Sequence, residues 1–68
     1  MYYWFSGVTA SGKQREVYSK TKQGALWDIK EDFKLTRGIL VKQKNSGVEV
    51  ERYKFKCDGK TVTLEKVK

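Results

Sequence analysis

Apolar and polar positions alternate along most of this chain, and the period changes once. Tyr2 to Val8 carries the aromatic and β-branched residues of a strand. Thr9-Ala10-Ser11-Gly12-Lys13 supplies the turn residues of a short hairpin loop, and Gln14 to Ser19 returns as a second strand. From Thr21 the spacing becomes helical. Ala25, Leu26, Ile29 and Phe33 fall in one apolar stripe, with Thr21 or Ser19 available as N-cap, and the helix is expected to end near Leu35, before Gly38.

Gly38-Ile39-Leu40-Val41 then opens a strand whose short unbroken apolar run suits a central place in a sheet, covered on both sides. Asn45-Ser46-Gly47 turns it. Val48 and Val50 alternate in one phase and Tyr53, Phe55 and Cys57 in another, so a β-bulge near Glu51-Arg52 is expected in one long bent strand. Asp58-Gly59 matches a two-residue type I′ hairpin, and Thr61 to Val67 closes the set with Val62 and Leu64 facing one way. The expected architecture is a single α+β domain over residues 1–68, in the order β-β-α-β-β-β, with one helix across a largely antiparallel sheet.

At 68 residues the chain sits near the lower limit for a stable core, burying only about 60% of its unfolded surface. Its hydrophobic content of 38% is low, and the 13% that is aromatic compensates, since each ring can bury roughly 150 to 250 Å². Proline is absent and both signs of charge are interspersed, which is not the composition of a disordered segment. Cys57 is the single cysteine, which excludes an intramolecular disulfide and reads as a core or edge thiol in a reducing compartment. The apolar start Tyr2-Tyr3-Trp4-Phe5 is too short for a membrane span and has no basic flank of a signal peptide, so a cytoplasmic location without membrane contact is expected.

Charge changes the picture most. Fifteen Lys and Arg against eight Asp and Glu give a net +7, which favours nucleic acid or an acidic surface of a nucleic-acid-handling protein complex as partner. Lys42, Lys44, Lys54, Lys56, Lys60, Lys66 and Lys68 all lie in the second half, on strands expected to be adjacent.

Catalytic and cofactor chemistry finds little to work with. Gly7, Gly12 and Lys13 match the first seven positions of a phosphate-binding P-loop, but the eighth is Gln14 where magnesium needs a hydroxyl, and the segment enters a strand instead of a helix. A hairpin turn explains the same residues. There is no histidine, and Asp28, Glu31 and Asp32 lie on a helix flank with Lys22, Lys30 and Lys34 near enough to neutralise them. No catalytic residue, metal, cofactor or small-molecule substrate is expected, and the chain reads as a non-enzymatic binding protein.

Two groups of residues are candidates for contacting a partner. Trp27 projects nearly opposite Leu26, Ile29 and Phe33, with Lys30 and Lys34 at helical spacing, which suits an exposed hot spot or a stacking surface. The alternative is that Trp27 covers a sheet edge. On the first strand Tyr3 and Phe5 face one way and Tyr2 and Trp4 the other, so aromatics remain on whichever face the helix leaves free. If that face also shows Lys42, Arg52, Lys54 or Lys56, the mixture would match a single-strand nucleic-acid surface, while Leu40, Tyr53 and Phe55 could equally fill a second small core.

The strand order, the size and the segments Gly38-Ile39-Leu40-Val41-Lys42 and Tyr53-Lys54-Phe55-Lys56-Cys57-Asp58-Gly59-Lys60 resemble small phage-encoded anti-CRISPR proteins of β-β-α-β-β-β type. That resemblance implies a steric inhibitor that occupies the DNA-binding surface of a CRISPR effector with charged and aromatic side chains, without catalysis. The first 44 residues also resemble, at Phe5, Gly7, Gly12-Lys13 and Ala25, the β-β-α-β module of type IV pilus and type II secretion platform proteins. This implies the alternative function, an assembly module that makes protein-protein contacts.

Overall fold

A computed structural model describes residues 1–59 and 61–67 of the chain. Five strands, β1 (Tyr2–Thr9), β2 (Gln14–Ser19), β3 (Leu35–Gln43), β4 (Glu49–Asp58) and β5 (Thr61–Val67), form one antiparallel sheet in the order β2-β1-β3-β4-β5. Between β2 and β3 runs one helical element, α1 (Lys22–Trp27), continued by a π-helical segment, Asp28–Asp32. The α+β class and the β-β-α-β-β-β order agree with the sequence pattern, and β3 is the central strand as expected. It is covered on one face only and not on both, because the single helical element packs on one side of the sheet. No helix among the described residues is long and apolar enough to cross a membrane.

The helix lies on the face that carries Tyr3 and Phe5. Phe5, Ala25, Ile29, Leu35, Leu40 and Phe55 form the buried cluster, with Val17, Leu26, Phe33, Tyr53, Val62 and Leu64 packed around it. Leu40, Tyr53 and Phe55 therefore belong to this one core and do not build a second. Thr21 is the N-cap: its backbone is extended and its Oγ1 accepts the Gly24 amide at 3.0 Å, while Ser19 donates to the Thr21 carbonyl at 3.1 Å.

Under Phe55 the strands approach unusually closely. Gly7, Gly38 and Phe55 stand side by side across β1, β3 and β4. A Cβ at Gly38 would lie 2.0 Å from the Ser6 carbonyl oxygen, and one at Gly7 2.8 Å from the Phe55 ring. Only glycine leaves room there, and the Phe55 ring covers the backbone that the two glycines expose.

The helix end differs from expectation. The periodicity predicts a helix reaching Leu35 and a strand beginning at Gly38, whereas the helix ends at Asp32 and β3 begins at Leu35. The Phe33 amide bonds to the Asp28 carbonyl, five residues back, and Lys34 takes a left-handed conformation with φ of 51°. This stop lacks the glycine that usually announces it, because a lysine occupies the left-handed position.

The hairpins are otherwise close to plan. In the first, the Gly12 amide bonds to the Thr9 carbonyl, and in the third-to-fourth strand turn the Gly47 amide bonds to Lys44 in the same way, each glycine having φ near 90°. Gly12 therefore serves a turn, and no phosphate loop forms. The last hairpin is displaced by one residue from the expected Asp58-Gly59 turn. Asp58 is still paired, with Thr61, so the turn begins after it, at Gly59; Lys60 lies outside the described residues.

Two bulges set which side chains share a face. Val8 pairs with Arg37 and Thr9 with Leu35, so Thr36 is the extra residue, and its hydroxyl donates to the Val8 carbonyl at 3.0 Å. Without that bulge Leu35 and Arg37, two residues apart, would share a face; with it Leu35 enters the core and Arg37 points to the other side. Lys42 pairs with Glu51 and Gln43 with Glu49, which leaves Val50 as the second extra residue, adjacent to the predicted Glu51-Arg52 position.

Candidate functional site

Strand register fixes what the helix-free face displays. Residues directly opposite each other across an antiparallel pair share a face, so three rows of side chains can be followed across the sheet. The first is Tyr18, Trp4, Val41, Arg52 and Val67; the second Glu16, Ser6, Ile39, Lys54 and Glu65; the third Gln14, Val8, Arg37, Lys56 and Thr63. Four cations, three aromatics with Tyr2, and the aliphatic residues between them thus occupy a face that no element covers among the described residues.

The basic end is a groove of about 630 Å³ lined by Ser6, Val8, Arg37, Ile39, Lys54 and Lys56, with Gln14, Thr63 and Glu65 at its rim. Arg37, Lys54 and Lys56 are exposed, and Ile39 lies half-buried in the floor. Arg37 and Lys56 are directly opposite each other on β3 and β4, an arrangement in which like charges repel. None of these three side chains forms an ion pair or side-chain hydrogen bond among the described residues. Gln14 donates to the Ser6 hydroxyl at 3.3 Å along one wall.

The aromatic end is better tied down. Trp4 Nε1 donates to Glu16 at 3.1 Å, which fixes the indole edge, and Tyr2 packs against Tyr18 with ring centroids 5.4 Å apart and planes tilted by 57°. Tyr18 is 65% exposed. Val41 is buried although it lies on the open face, because Trp4 and Arg52 flank it on both sides.

Of the six residues singled out in the sequence, Arg52, Lys54 and Lys56 do share the open face with Trp4. Arg52 is already engaged, since its guanidinium meets Glu49 at 2.8 Å and holds that carboxyl below the usual carboxylate range. The Val50 bulge is what lets Glu49 and Arg52 lie on the same face. The helical group is divided. Trp27 is exposed, as expected, at 55%, but the helix widens after it and Lys34 leaves the helix altogether. Lys30 and Lys34 instead line a hollow of about 350 Å³ with Glu31, Leu35, Thr36 and Cys57, and Trp27 is not part of it.

The other lysines disperse. Lys42 and Lys66 fall on the helix side, near Tyr3 and Tyr53, and Lys44 is exposed at a turn, while Lys60 and Lys68 lie outside the described residues. Lys22 stands 5.3 Å above the Tyr53 ring, whose hydroxyl donates to Glu51 and keeps that carboxyl below its ordinary value. No lysine forms an ion pair with Asp28, Glu31 or Asp32 among the described residues, and burial, together with Asp32 beside it, raises the Asp28 carboxyl. No grouping of three or more potential ligands that could hold a metal occurs among the described residues.

Arg37 is the residue that sequence reasoning missed. With β3 started at Gly38 it belongs to a loop; with β3 started at Leu35 it stands beside Lys56. Its spacing of two from Ile39 and four from Val41 carried that signal. Compared with known protein families, curated proteins and solved structures, the chain matches none, so its own residues and their geometry carry the functional reading.

Proposed function

We propose that this chain is a non-enzymatic binding module that takes nucleic acid on the open face of its sheet. The convergence of Arg37, Lys54 and Lys56 on one groove carries the reading. Lys54, opposite Glu65 on β5, adds a third cation to this groove, while Arg37 and Lys56 face each other without an acidic residue in their row and are held together by the strand register at an electrostatic cost. A phosphate placed between them relieves that repulsion and gains charge-assisted hydrogen bonds. The aromatic residues along the same rows supply surface for bases.

The test is binding of fluorescently labelled nucleic acid by anisotropy over a range of salt. Three phosphate contacts correspond to a fall of log affinity with log salt of slope about 2 to 3. The triple change Arg37→Glu, Lys54→Glu and Lys56→Glu abolishes binding, whereas reversing Lys30 and Lys34, which line a different hollow, leaves most of it. Equal losses from both sets would sink the assignment to the open face. Retention of a protein complex after nuclease treatment, with no affinity for nucleic acid itself, would replace this reading by an acidic protein surface as target.

The assembly reading draws on a different feature, the two outer strands. β2 and β5 each have one side without a neighbouring strand in the described sheet, and such edges can pair with another chain. Association through β5 would persist at high salt, which separates it from phosphate binding.

A further inference from the structure

Resting on the reading of the open face as a nucleic-acid surface, we infer that its ligand is single-stranded, with a base on Tyr18 and Trp4 and a phosphate between Arg37 and Lys56. The separation of the two ends is the first argument. Val41, level with Trp4 and Tyr18, is four residues from Arg37 along β3, which at the usual rise of a strand is about 13 Å. The aromatic corner and the basic groove are too far apart to hold one base and its own phosphate, and close enough to be bridged by a short run of one strand.

The second argument is what each end can accept. Tyr18 offers most of its ring to solvent, and the Trp4 ring is held by its bond to Glu16, so both are set to receive a flat partner without first being ordered. Bases inside a duplex are already stacked on each other and cannot use such a surface. Ile39, between the two ends, offers an apolar floor that also favours an unpaired base over a phosphate.

The third argument is the placement of negative charge. In the middle row Glu16 and Glu65 stand on the two outer strands, with Lys54 inside. Carboxylates at both margins and cations on β3 and β4 confine a polyanion to the central strands. The same margins oppose the two phosphate backbones of a duplex laid across the face.

The experiment uses the full chain carrying Trp27→Phe, which leaves Trp4 as the only tryptophan. Oligothymidylate and oligouridylate of about ten nucleotides, within the usual range for a small single-strand module, are compared with a duplex of equal length. The expected result is quenching of Trp4 fluorescence by either oligonucleotide, with affinity at least tenfold above that for the duplex. Tyr18→Ala, an exposed edge-strand change that leaves the circular dichroism spectrum intact, weakens single-strand binding by about 5- to 100-fold. Duplex binding as tight as single-strand binding, with Trp4 fluorescence unchanged, would overturn this inference and leave the broader proposal standing. Failure of all three probes to bind would instead remove the nucleic-acid reading itself.

Discussion

The two faces of this sheet are made by alternate residues of the same strands, yet they are finished in opposite ways. Phe55 and Lys54 are neighbours in the chain: one is buried against Gly7 and Gly38, the other exposed above a groove. On the helix side, backbone contact, aromatic packing and the cap at Thr21 combine to exclude water. On the open side, two cations face each other across β3 and β4, and polar residues form the rim. The difference separates positions chosen for packing from positions whose arrangement costs stability and needs another explanation.

The largest expected effect comes from removing the ring that seals the covered face. Phe55→Ala is expected to cost about 3 to 5 kcal/mol. A domain of this length holds on the order of 3 to 10 kcal/mol in all, so the variant is close to unfolding in a denaturant titration. Lys54→Ala, one residue away, is expected to stay within about 0.5 kcal/mol of the parent. Similar costs at both positions would mean that the open face is structurally as demanding as the core.

Next in size is a change that separates stability from binding. Lys56→Glu places an opposite charge across from Arg37, so the protein is expected to gain about 0.2 to 1 kcal/mol in unfolding free energy. Its affinity for nucleic acid is expected to fall at least tenfold, since one phosphate contact becomes a repulsion. Unfolding and anisotropy measurements on the same preparation check both signs. A variant that binds less because it folds less well would contradict the comparison.

The uneven legibility of the two faces in the sequence has a physical source. The covered face follows from hydrophobic periodicity, because burial rewards a fixed spacing: Phe5, Ala25, Ile29, Leu40 and Phe55 can all be read that way, and the strand order with them. The Val50 bulge also left a trace, in the phase change between Val50 and Tyr53. The helix end left none. Lys34 adopts a conformation that sequence patterns assign to glycine, and the π-turn before it moves the chain out of helical phase without any breaker residue. The register from Arg37 to Lys42 is regular, so with β3 beginning before Gly38, Arg37 falls opposite Lys56, and the Thr36 bulge only turns Leu35 to the other face. It was the unmarked helix end that hid half of the groove, although Lys54 and Lys56 were evident.

A smaller effect is expected at the start of the helix. Thr21→Ala removes the acceptor for the Gly24 amide and should cost about 1 kcal/mol. Because α1 covers only the opposite face, the open-face groove should survive, and binding of nucleic acid under native conditions should change less than twofold. Unfolding curves and anisotropy together show whether the two faces respond independently.

The smallest effect tests the far end of the helical element, where burial and Asp32 raise the Asp28 carboxyl. A carboxyl whose pKa is higher in the folded protein binds its proton more tightly there. The contribution to stability is thus fully present below the pKa of the unfolded chain and lost as pH rises through the raised value. Asparagine at this position has no charge to desolvate or to set beside Asp32, so Asp28→Asn should raise the melting temperature at neutral pH by about 1 to 2 °C. Acidification below the ordinary carboxylate range protonates Asp28 in both states, and the advantage of the variant should vanish there. Melting curves at neutral and acid pH decide the matter: an advantage that persists in acid would trace to side-chain packing instead of charge. Nucleic-acid affinity should be unaffected, because Asp28 lies on the element that covers the other face.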